Sequence, residues 1–138
     1  MLERVNPKFV KMYIKKDPVR PHIKSEVRMV PGRDMYHIDE LAFICLAYLD
    51  RVPENEETLL TADVGNIAVA YTVWSLKRGL GREIIFQTQK LIQDTWRFKR
   101  LVTLSPKTEM ATKFHLGNGA KLIAENPHSN NFEYSLES

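Results

Sequence analysis

The apolar positions of this chain change period partway along, and the change divides it into elements. Leu41 to Leu49 reads LAFICLAYL, an unbroken apolar run, and Asn66 to Leu76 reads NIAVAYTVWSL, rich in β-branched and aromatic side chains. Runs of this length, bounded by turn residues, predict strands. From Gly81 the pattern shifts. Ile84, Ile85, Thr88, Leu91, Ile92 and Thr95 fall at i, i+1, i+4, i+7, i+8 and i+11, which is one face of an amphipathic helix over 81–96. RLVTLS (100–105) returns to strand and Pro106 stops it. KTEMATKFHLGNG predicts a shorter helix, capped by Thr108 and ended by Gly117 and Gly119. AKLIAEN and NFEYSL predict two closing strands.

Upstream, RDMYHID alternates weakly and is expected to form a hairpin with the Leu41–Leu49 run, turning at Asp39-Glu40. Glu56–Leu60 predicts a single helical turn. FVKMYIKK (9–16) fits a short helix or an edge strand, and Pro18, Pro21 and Pro31 make 17–33 extended with turns. The order is strand, strand, strand, helix, strand, helix, strand, strand. It predicts an α/β (α+β) fold: a mixed, central twisted sheet with at least one parallel crossover around the 81–96 helix.

The chain has 138 residues, which fits one domain at 34–138 with residues 1–33 as a basic, proline-containing segment packed on it. Net charge is +3, but unevenly spread: residues 1–33 hold nine Lys/Arg against three Asp/Glu, the remainder eleven against fourteen. Such a segment could meet an acidic or phosphate-rich partner; a solvated face, balanced by the acidic remainder, is the preferred reading. Only Phe9 and Tyr13 accompany those lysines, which argues against nucleic acid. The longest apolar run is too short for a bilayer and too far from the first residue for a secretory signal. The lone Cys45 leaves no disulfide framework, so a buried strand cysteine in a reducing cytoplasm is expected. His22, His37 and His128 lack metal-ligand spacing, and no metal is expected. The last strand, around Phe132–Leu136, is a candidate edge for pairing in a homodimer.

The stretch SLKRGLGREIIF (75–86) carries the most chemistry. A strand running into Gly79-x-Gly81 and then a helix leaves the first helical N–H groups without partners, in the positive potential of the helix end. Glycine lets the backbone approach a ligand closely, and Lys77, Arg78 and Arg82 add charge. Phosphate or pyrophosphate is the ligand such a turn can hold. The spacing is neither that of a P-loop nor the full dinucleotide pattern with a third glycine. By itself it fits a plain structural turn equally well.

Over roughly residues 34–138 the chain resembles the N-acetyltransferase (GNAT) superfamily. The resemblance rests on strand 66–76, the KRGLGRE turn, helix 81–95, strand 100–105 and the helix EMATKFHLGNGA. It implies a GNAT-like mixed sheet with a strand–GxG–helix unit whose backbone amides hold the pyrophosphate of coenzyme A. Lys77, Arg78, Gly79, Leu80, Gly81 and Arg82 would bind there; Val73, Trp74 and Ser75 would line the pantetheine and acyl end, with Ser105 and Phe114 beside them. The implied activity is transfer of an acyl group from acetyl-CoA to an unknown amine. The family's leading Gln or Arg falls on Leu76, its tyrosine falls on His115, and the helical segment between its first two strands has no clear counterpart here.

TLSP followed by FHLxNGA is also similar to the catalytic domain of malonyl-CoA decarboxylase. That resemblance implies a catalytic His115 working with a hydroxyl, Thr72 or Ser75, and malonyl-CoA as an alternative donor. The same family carries a separate helical domain for which 138 residues leave no room. Non-catalytic binding of coenzyme A is a third reading.

Overall fold

The two long apolar runs lie side by side at the centre of one sheet. The structure is a computed structural model that describes residues 1–136; among these the chain forms eight strands and four helices. In chain order they are β1 (Glu3–Arg4), α1 (Val10–Ile14), β2 (Arg33–Ile38), β3 (Ala42–Leu49), α2 (Glu56–Thr61), β4 (Ile67–Ser75), α3 (Leu80–Thr95), β5 (Arg100–Thr103), β6 (Ser105–Pro106), α4 (Glu109–Gly117), β7 (Lys121–Glu125) and β8 (Ser129–Tyr134). Every residue of β3 is buried, because both faces of the sheet are covered. The expected hairpin forms. β2 and β3 pair antiparallel, and Asp39 and Glu40 between them adopt left-handed backbone. Segment 9–16 resolves as helix, α1 preceded by a 3-10 turn at Pro7–Phe9.

The strand order is β1-β2-β3-β4-β5-β8-β6, with β7 on β8. β4 and β5 are parallel, joined by the crossover helix α3, as the change of period predicted. β8 pairs with β5, β6 and β7, so Phe132 to Tyr134 are interior and largely buried. The expectation that this strand offers a dimer edge is therefore corrected. β7 folds back along β8 and takes up its remaining side.

The sheet separates two apolar layers. One face carries Met35, Phe43, Cys45, Val69, Tyr71 and Trp74, covered by Val10, Tyr13 and Ile23 of the N-terminal segment and by Leu59 of α2. The other carries Ile44, Leu46, Ala68, Ala70 and Phe132, covered by Ile84, Ile85 and Ile92 of α3. Amphipathic α3 therefore turns its predicted stripe inward, and Leu91 and Thr95 mark the edge of that stripe.

The N-terminal segment is held by more than apolar contact. The Asp17–Arg28 ion pair (2.8 Å) is wholly buried. Asp17 also accepts from the N–H groups of Val19 and Arg20 and from the Thr72 hydroxyl (2.9 Å). Arg28 donates to the carbonyls of Ile23 and Arg20. Several of the basic residues read as a solvated face are thus internal ties, while Lys8, Lys11, Lys15, Lys16 and Lys24 do face water.

Two irregularities in β4 part the sheet on one side. Cys45 pairs with Thr72 but Leu46 with Ala70, so Tyr71 is an extra, bulged residue. The parallel ladder to β5 ends at Ala70↔Thr103, its last link being the Leu104 N–H to the Ala70 carbonyl (3.1 Å). Beyond that point β4 pairs only with β3, and β6 pairs with β8. A wedge opens between β4 and the β5–β6 line at the C-terminal ends of the parallel strands, where open α/β sheets receive ligands.

Candidate functional site

At the mouth of that wedge lies a groove of about 540 Å3, lined by Ser75 to Gly79, Gly81 and Arg82 on one side and by Lys113, Phe114, Gly117 and Asn118 of the α4 region on the other. Its geometry begins with the turn. Gly79 is the N-cap of α3 with φ 89°, a conformation that costs side-chain-bearing residues energy. No side chain caps the helix; the Leu80 N–H donates to the Lys77 carbonyl and the Glu83 N–H to the Gly79 carbonyl, which leaves the Gly81 and Arg82 amides for the groove. The Ser75 hydroxyl bonds the backbone N–H and carbonyl of Lys77 and braces the turn from below. Gly81 meets a different need. A Cβ there would stand 3.2 Å from the Phe114 ring, so glycine is what lets α3 and α4 close on each other.

Lys77, Arg78, Arg82 and Lys113 line this groove with no carboxylate among them. Arg82 also lies 5.1 Å over the Phe86 ring, which steadies its guanidinium. Cations, a helix N-terminus and unhindered backbone converge on one concavity, the arrangement that receives a polyanion such as a pyrophosphate.

Behind the groove, on the α3–α4 face of the sheet, lies His115. It is 6% exposed and packed among Phe114, Phe132 and Tyr134, with ring centroids 5.1 to 5.8 Å away. Its Nδ1 shares a hydrogen bond of 2.7 Å with the Tyr134 hydroxyl. Burial pushes the imidazole down to about 4, so it is neutral near pH 7, and burial raises the Tyr134 phenol. With Tyr134 as the donor, Nδ1 accepts and the proton sits on Nε2. Asn118 is adjacent, and its buried Nδ2 has no partner among the described residues.

Of the residues singled out from sequence, Ser75, Lys77, Arg78, Gly79, Gly81, Arg82 and Phe114 line the groove. Leu76, which stands where the family has a polar residue, lines it too and is half exposed. Val73 and Leu80 pack into the α3-side layer, while Trp74 is buried on the other face, stacked on Phe43 at 4.8 Å. Ser105 is buried and donates to Thr103 Oγ1 (2.7 Å). Thr72 sits beside Asp17, against the face opposite His115, so the two are not partners. The bulge at Tyr71 causes this, because the extra residue reverses the alternation of β4 beyond it. Sequence reasoning missed Lys113 and Tyr134. Lys113 was findable, since residues 113, 114, 117 and 118 form one helical face. Tyr134 reaches His115 across 19 residues and a strand turn, and no local pattern signals it.

No protein-family model matches the sequence, and no curated protein matches it. Solved structures do. Malonyl-CoA decarboxylase from Agrobacterium vitis superposes with a TM-score of 0.79 at 17% identity, over 99% of this chain and 60% of that one. A protein of the GNAT family from Desulfovibrio desulfuricans gives 0.68 at 10% identity, over 99% of both chains. The chain has the GNAT fold. PaiA N-acetyltransferase from Thermoplasma acidophilum, solved in complex with coenzyme A, gives 0.65 at 11% identity and 96% of both chains. Against the malonyl-CoA decarboxylases from A. vitis and Rhodopseudomonas palustris this GNAT-fold chain spans 60% and 56% of their length. Among the described residues no helix is long and apolar enough to cross a membrane.

Proposed function

We propose that this GNAT-fold chain is an acyl-CoA-dependent acyltransferase, carrying an acetyl group from acetyl-CoA to an amine. The observation that carries the reading is the groove, with its cations, free helix amides and the Gly81–Phe114 approach. The pyrophosphate fits there, and the pantetheine arm would run from it into the wedge beside β4. In the transfer step the amine nitrogen attacks the thioester carbon, the carbon–sulfur bond breaks, and the ammonium proton leaves as the thiolate gains one. Backbone N–H groups of β4 around Val73–Ser75 would polarise the carbonyl. His115 is the candidate relay to the departing sulfur: its Nε2 proton passes to the thiolate as Nδ1 takes the Tyr134 hydroxyl proton, and the proton released by the ammonium restores the phenol.

A second reading is favoured by a specific observation: FHLxNGA together with the TM-score of 0.79 to the A. vitis malonyl-CoA decarboxylase, above those of the D. desulfuricans and T. acidophilum proteins. There the bond broken is the malonyl C–C bond, carbon dioxide leaves, and the electron pair left on the α-carbon takes the His115 Nε2 proton as Nδ1 takes the Tyr134 hydroxyl proton, which water then replaces. One experiment separates the two. Incubated with malonyl-CoA alone, a decarboxylase yields acetyl-CoA by mass spectrometry, whereas a transferase yields it only at the level of spontaneous breakdown and needs an added amine to consume acetyl-CoA. If neither acetyl-CoA nor coenzyme A raises the melting temperature, both readings fall.

A further inference from the structure

The wedge between β4 and the β5–β6 line is closed at its apex by a side chain from the N-terminal segment. Arg20, 7% exposed, donates from Nε to the Tyr71 carbonyl (2.8 Å) and from Nη2 to the Leu104 carbonyl (2.7 Å), the first carbonyls past the end of the parallel ladder. Its Nη1 meets Glu56 of α2 at 2.5 Å. The backbone is pinned as well. The Arg20 N–H donates to Asp17 and its carbonyl accepts from Arg28. A guanidinium tied to two strands, one carboxylate and a buried ion-pair network has no cheap way to swing aside, since breaking buried charged hydrogen bonds leaves unpaired groups.

We propose that Arg20 is the end wall of the acyl site and restricts the thioester to short acyl groups. This rests on the reading that the groove takes coenzyme A. A pantetheine arm entering from the groove runs toward the point where β4 and β5 part, and its acyl end meets the guanidinium there. An acetyl group stops short of it. A longer alkyl tail would press methylenes against a charge that is already fully engaged, with neither apolar surface to cover nor water to retreat into. Length discrimination then comes from a residue outside the groove, on the opposite face of the sheet.

The test is a ladder of binding affinities for coenzyme A, acetyl-, butyryl- and hexanoyl-CoA, read by calorimetry on the whole chain. The wild type should bind coenzyme A and acetyl-CoA comparably and lose roughly tenfold or more by hexanoyl-CoA, the scale of misplacing a methylene or two in a pocket. Arg20→Met should leave the coenzyme A affinity within about twofold and bring hexanoyl-CoA up to or above acetyl-CoA, a gain that mere loss of structure does not produce. A wild type that binds hexanoyl-CoA as tightly as acetyl-CoA overturns the proposal without any variant, so a poorly folding Arg20→Met would not shield it. Equal losses for every ligand in a folded Arg20→Met also overturn it. Absence of coenzyme A binding in the wild type would instead refute the underlying groove assignment.

Discussion

Two buried polar clusters face each other through one sheet, and they differ in how far their hydrogen-bonding capacity is used. On the N-terminal side, Asp17 accepts from four donors, and Arg28 reaches a carboxylate and two carbonyls. On the helical side, His115 has one hydrogen bond, the neighbouring Asn118 Nδ2 has none among the described residues, and of the groove's four cations Lys113 alone pairs with a carboxylate there, Glu109 at 2.8 Å. A saturated cluster is fixed by its own bonds and has nothing left to offer a ligand. The unsaturated one retains donors, which costs stability and supplies chemistry. The contrast separates polar groups consumed in holding the fold from those left with donors to spare.

The largest expected effect is on the saturated side. Asp17→Ala leaves Arg28 buried and unpaired, and should cost about 3–5 kcal/mol in urea unfolding. The double variant Asp17→Leu/Arg28→Met should cost much less than the two single changes summed, because no orphaned charge remains. Additive losses would mean that the two residues do not act as a coupled pair.

On the other side the expected effect is on function. Gly81→Glu places a carboxylate among four cations and a side chain against Phe114, and should abolish the melting-temperature shift given by coenzyme A. A shift that survives would rule the groove out as the coenzyme A site. His115→Ala should keep that shift but lower turnover by roughly 10²-fold, the scale of losing a positioned proton donor. Wild-type rates would class His115 with the saturated, structural groups.

The same two sides differ in how legible they were. Hairpin, crossover helix, the Thr108 cap (its Oγ1 accepts from Ala111 N–H at 3.1 Å) and the glycine turn are written in short-range patterns, and the structure has them where the periods predict. The groove was legible for the same reason, because most of it comes from one contiguous stretch of β4 and α3. The Asp17–Arg28–Thr72 cluster was not, since Asp17 and Thr72 meet across 55 residues and Arg20 reaches Leu104 across 84. Lysine and arginine look alike in a charge count, yet here the lysines are solvated and Arg20 and Arg28 are internal. The planar guanidinium, able to donate to several carbonyls at once, makes that burial possible.

A smaller effect separates the clusters by pH. The unfolded His115 takes up a proton near 6.5, but the buried ring resists until about 4. The unfolded state therefore binds more protons between those values. Stability contributed by the neutral ring is full above pH 6.5 and is lost as pH falls toward 4. His115→Asn should flatten that part of the melting-temperature profile. A His115→Asn profile parallel to the wild type would show that the ring is not buried neutral.

The smallest effect distinguishes two glycines that sequence treats as one motif. Gly79 needs its backbone: φ is 89°, yet a Cβ there would meet nothing within 4 Å. Gly81 needs its space, having ordinary helical backbone and the Phe114 ring beside it. Gly79→Ala should therefore cost about 1 kcal/mol of stability through left-handed strain alone, with the coenzyme A affinity nearly unchanged once the protein is folded. Gly81→Ala should show the reverse weighting, a small stability change and a measurably weaker affinity, because α4 must shift from the groove edge by a few tenths of an ångström. If both variants lose affinity equally, the turn acts as one rigid cradle, and the separate roles drawn from its geometry merge into one.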